Sequence, residues 1–82
     1  MKQIYLETYS SGNRYFEIVG FKDEEKIRIK IFEIIAHKRI IIPQFEVTAI
    51  IGVIHDANIL ETNIFQQFVK AAKQFIEVYT TV

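Results

Sequence analysis

The 82-residue chain contains no cysteine. That excludes a disulfide framework and thiol chemistry. It also lacks net charge, because ten basic and ten acidic residues cancel. A neutral chain has no broad positive field to draw in nucleic acid or an anionic membrane, though a local basic patch stays compatible with it. Neutrality does little to oppose self-association. No apolar run reaches the roughly 18 uncharged residues of a membrane span, and the opening MKQIYLE has no long apolar signal region. A cytoplasmic protein without a membrane partner is therefore expected. There is no glycine-rich phosphate loop, linker, low-complexity tract or repeat. The two histidines, His37 and His55, lie far apart in the chain without clustered carboxylates. Neither a metal nor another cofactor is expected, and with no nucleophile–base set in view the expected role is non-enzymatic.

What the chain does have is apolar surface. Half its residues are hydrophobic, and eleven are aromatic, four Tyr plus seven Phe. This supports one small folded domain spanning residues 1–82, burying roughly 60–65% of its unfolded surface. Lys2–Tyr9 alternates Ile4, Leu6 and Thr8 against Gln3, Tyr5 and Glu7, which reads as a strand. The turn signal SSGN (Ser10–Asn13) and a second strand, Arg14–Phe21, complete an antiparallel hairpin.

Lys22–Arg39 fits two periods. Lys26–Ile31 alternates as a strand does, whereas Ile27, Ile31, Ile34 and Ile35 follow helical spacing. Asp23 as a cap, acids at Glu24 and Glu25, cations at His37, Lys38 and Arg39, and the lack of a turn residue before Pro43 favour the helix. The strand reading stays open. Glu46–His55 reads as a central strand covered on both faces. Ile59–Phe75 reads as a helix with the stripe Leu60, Ile64, Phe65, Phe68, Val69, Ala72 and Phe75, capped by Asn58 with Glu61 three residues on. Ile76–Val82 is strand-like in composition. The expected fold is α/β, one mixed sheet in the order β-β-α-β-α-β with helices packed on it.

In such a sheet ligands sit beyond the carboxyl ends of the parallel strands, which marks His55, Asp56 and Asn58 as candidate ligand-binding residues. The same residues also serve as ordinary turn and cap residues. Tyr5, Tyr15 and Phe16, near Lys2, Arg14 and Lys22, form a candidate stacking platform for single strands, with core packing as the competing explanation. The apolar segment IIIPQF (Ile40–Phe45) suggests an interface through Ile41 and Phe45, the partner being a second copy or another protein.

Two resemblances bear on this layout. VTAIIGVIHDAN, ILETNIFQQFVKAAKQ and FIEVYTTV, preceded by RYFEIVGF and DEEKIRIKIFEIIAHKR, resemble in element order the STAS-like domains of anti-sigma-factor antagonists. That resemblance implies a cytoplasmic regulatory or protein-interaction module. Signalling members carry a phosphorylatable Ser or Thr where this chain reads His55-Asp56-Ala57-Asn58, so no phosphorylation role transfers. The opening KQIYLETYSSGNRYFEIVGF is similar in style to PUR-alpha-type modules, which set a four-stranded sheet against one helix and bind single strands. This second resemblance requires Glu25–Ile35 to be a strand. On net charge, nucleic acid is the less expected partner.

Overall fold

The computed structural model describes residues 2–50 and 62–81. Four strands, β1 (Lys2–Ser11), β2 (Arg14–Asp23), β3 (Lys26–Ile35) and β4 (Lys38–Ile50), form one antiparallel sheet in the order β1-β2-β3-β4. A 19-residue helix, α1 (Asn63–Thr81), crosses one face of it.

The expected β-β-α-β-α-β order is therefore corrected at two places. Lys22–Arg39 is no helix: it holds the end of β2, all of β3 and the start of β4. Ile27, Ile29 and Ile31 are buried under α1, while Arg28, Lys30, Phe32 and Ile34 point the other way. That two-residue period buries three isoleucines at once. The second correction is at Ile76–Val82, whose described residues, 76–81, are helical and contribute no strand. The helix runs on to Thr81, because Phe65, Val69, Ala72, Ile76 and Tyr79 continue one stripe past Phe75. Burial of that stripe outweighs the strand propensity of its β-branched residues.

The turn between β3 and β4 uses neither Gly nor Pro. Ala36 and His37 both adopt left-handed backbone, at φ 52° and 65°. Two central residues at positive φ are the pattern of a type I′ hairpin turn, normally filled by Asn-Gly. Each L-residue there carries a steric cost of about 1–2 kcal/mol. Replacing Ala36-His37 by Asn-Gly should therefore stabilise the domain by about 1–2 kcal/mol. A chemical denaturation midpoint that rises with unchanged slope would verify this.

Pro43 sits in edge strand β4, where a missing N–H is tolerated. The register slips there. Lys30 opposes Glu46 and Phe32 opposes Ile41, so five steps on β4 match two on β3. This irregularity turns Ile42 and Phe45 toward the core, where Phe45 meets Phe75 at 5.3 Å between ring centres.

Against β1 the helix is held by polar contacts. Lys73 Nζ lies 2.6 Å from Glu7, which also accepts the Tyr5 hydroxyl. The Tyr9 hydroxyl donates to Glu77 at 2.6 Å, and Ser11 and Thr80 hydroxyls meet at 2.8 Å. The hydrogen bonds from Lys73 and Tyr5 hold the Glu7 carboxyl below its usual range. The helix start is capped by Thr62, whose hydroxyl accepts the Phe65 N–H at 3.2 Å.

Candidate functional site: the open face of the sheet

In an antiparallel sheet directly opposed residues share a face, so the register sorts the side chains. The helix-covered face carries the rows Tyr9–Phe16–Glu33–Ile40 and Tyr5–Gly20–Ile29–Val47. The opposite face carries five rows: Ser10–Tyr15–Ile34–Arg39, Thr8–Glu17–Phe32–Ile41, Leu6–Val19–Lys30–Glu46, Gln3–Phe21–Arg28–Thr48 and, from β2 to β4, Asp23–Lys26–Ile50.

This open face is unusually aromatic and cationic for solvent-facing sheet. Tyr15 is 63% exposed, and Leu6 and Ile41 are nearly half exposed. Phe21 and Phe32 are half-buried among cations. The Arg39 guanidinium lies 4.9 Å over the Phe32 ring centre, and Lys30 Nζ lies 5.8 Å from that of Phe21. Both distances are within cation–π range. Arg39 reaches past Phe32 to Glu17 on β2, at 2.8 Å. Lys30 stands 3.7 Å from Glu46. The Arg28 guanidinium pairs with no described residue. One depression is lined by Thr8, Tyr9, Ser10, Tyr15, Phe16 and Ile34, and another by Lys30, Ile41, Ile42, Pro43, Phe45 and Glu46, so each takes residues from both faces.

The expected stacking platform is divided by the sheet. Tyr15 is on the open face, but Tyr5 and Phe16 are under the helix. Phe16 is fully buried, and Tyr5 meets Phe65 edge-on at 5.0 Å. Arg14 also belongs to the helix side. It makes a bidentate pair with Glu33, Nε to Oε2 at 2.8 Å and Nη2 to Oε1 at 2.7 Å, and lies 5.2 Å over Tyr79. The Arg14 hydrogen bonds hold the Glu33 carboxyl below its usual range. This pair lets a charge be buried in an otherwise apolar row. In place of Tyr5, Phe16 and Arg14, the open face sets Phe21, Arg28, Lys30, Phe32 and Arg39 alongside Tyr15. Alternation in RYFEIVGF already separates Tyr15 from Phe16, so that part was readable. The rest depends on β3 being a strand.

His55, Asp56 and Asn58 lie outside the described residues. The two expected interface residues point to different surfaces: Ile41 to the open face, Phe45 to the helix side. Among the described residues no three His, Asp or Glu side chains gather as a metal site. No helix among them is long and apolar enough to cross a membrane. Comparison of the chain with protein-family models, with curated proteins and with solved structures returns no match.

Proposed function

We propose that the domain binds single-stranded nucleic acid on its open sheet face, holding bases by stacking. The observation that carries this reading is the set Tyr15, Phe21 and Phe32 interleaved with Arg28, Lys30 and Arg39 on one sheet face that no other described element covers. Stacking rings beside cations suit single strands, because every base has a π-face and every nucleotide a phosphate. The layout supports it too. Four antiparallel strands against one helix, the layout of the described residues, is the arrangement that the resemblance to PUR-alpha-type modules requires. Zero net charge is a weaker objection once charges are sorted by face. The open rows hold Lys26, Arg28, Lys30 and Arg39 against Glu17, Asp23 and Glu46, an excess of one cation. Binding led by stacking and aided by so small a positive excess should be modest and weakly salt-dependent.

The test is a titration of fluorescein-labelled oligo-dT, about 12 nucleotides long, against the same probe annealed as duplex. Saturable binding of the single strand and little of the duplex is expected. Equal binding of both forms, or of neither, contradicts the reading.

A second reading, self-association, is favoured by a separate observation. Ile64, Phe68, Ala71, Phe75 and Val78 form a second stripe on α1 with 4-3-4-3 spacing, beside the stripe that packs on the sheet. Ile64 and Val78, at its ends, are 58% and 69% exposed. The stripe is palindromic in kind: aliphatic, Phe, Ala, Phe, aliphatic. A two-fold antiparallel crossing centred on Ala71 would set Ile64 on Val78, Phe68 on Phe75 and Ala71 on itself, which an isologous interface requires. Phe45 extends this surface onto β4. Light scattering should give a dimer for the wild type and a folded monomer for Ala71→Glu. A monomeric wild type refutes this reading and leaves the open face unaffected.

A further inference from the structure

The Arg39–Glu17 pair lies over the ring that a bound base would use. Arg39 stands on β4 and Glu17 on β2, so the arginine crosses the whole width of β3 to make the bond. Its Nε and Nη2 both contact Glu17 Oε1, each at 2.8 Å. On the way the guanidinium lies over Phe32 at 4.9 Å. The side chains are 40% and 19% exposed, so this is a solvent-screened and breakable pair. A carboxylate and a phosphate offer the guanidinium the same kind of acceptor oxygens.

We infer that Glu17 is an internal stand-in for nucleic-acid phosphate, holding Arg39 across Phe32 until a single strand takes the arginine away. This rests on the proposed function and adds a regulatory element to the same site. In the free protein the central ring is covered and one cation is neutralised. Arg28, which is paired to no described residue, makes the first phosphate contact. As the strand settles, a phosphate replaces Glu17 on Arg39. The guanidinium swings off Phe32, and a base stacks on the ring. The neighbouring Lys30–Glu46 pair, at 3.7 Å, is too long for a hydrogen bond and holds its cation less firmly.

A double-mutant cycle in oligo-dT binding tests this. Glu17→Gln keeps the side chain's shape and removes the acceptor charge. It should tighten binding up to about fivefold, the scale of one exposed ion pair. The log–log salt slope should stay nearly unchanged, because a phosphate sits on Arg39 in both complexes. The gain must vanish in the Arg39→Gln background. Glu17→Ser, with melting curves recorded for every variant, guards against an effect of misfolding. A gain that persists without Arg39 would mean that Glu17 merely repels phosphate, and it overturns the inference. No gain in an otherwise binding protein overturns it as well, while sparing the open-face reading. Absence of binding in the wild type and in both Glu17 variants overturns both.

Discussion

Phe65→Ala should bring the domain close to unfolding. Phe65 is 1% exposed and sits where the first turn of α1 meets β1 and β2. Its ring lies edge-on to Tyr5 and against Gly20, where an added Cβ would stand 3.3 Å from the ring and 3.1 Å from the Tyr5 Cβ. The absent side chain at Gly20 is thus the space that the ring fills. Truncating a buried Phe costs about 3–5 kcal/mol through lost transfer energy and the remaining cavity. A chain of this length has a total stability of roughly 4–12 kcal/mol. The melting temperature, followed by circular dichroism, should fall on the order of 15–30 °C. A fall of under about 5 °C would show that the helix start is not seated on the sheet as described.

The second large effect concerns binding. Phe32→Ala should weaken oligo-dT binding by about 1–3 kcal/mol, roughly 5- to 150-fold, while leaving the fold intact. Phe32 is half-buried on the open face, at the centre of the aromatic and cationic set, between Glu17 and Ile41 in its row. It supports no part of the helix-side core. Tyr15→Ala removes a more exposed ring at the end of the face and should cost less. Isothermal titration of both variants, with melting curves as controls, separates stacking from stability. A Phe32→Ala variant that binds as the wild type does would place the bases elsewhere.

The residues explain which of these features were legible in the sequence. β1, β2 and their hairpin were readable, because alternation and the SSGN turn agree. β3 was not, because isoleucines at 27, 31, 34 and 35 satisfy a helical period while those at 27, 29 and 31 satisfy an extended one. Turn chemistry would have decided, but the chain reverses at Ala36-His37, residues that carry no turn signal. The acids at Asp23–Glu25 and the cations at His37–Arg39 imitate helix ends, yet they lie in or beside the two turns that flank β3, Glu24-Glu25 and Ala36-His37. The core stripe of α1 was clear from its spacing. Its C-terminal end was obscured by β-branched Ile76, Val78, Thr80 and Thr81, whose local preference yields to burial of Ile76 and Tyr79. The open face inherits the ambiguity of β3, since Arg28, Lys30 and Phe32 share no face until that segment is extended.

The central claim, that the face of the sheet opposite α1 binds single strands, is tested most directly by mapping ¹H–¹⁵N chemical-shift changes during titration with oligo-dT. The account predicts changes concentrated at Tyr15, Phe21, Arg28, Lys30, Phe32 and Arg39, with the outward residues of α1, among them Lys70 and Gln74, left in place. Changes confined to the helix, or no changes at saturating oligonucleotide, would contradict it.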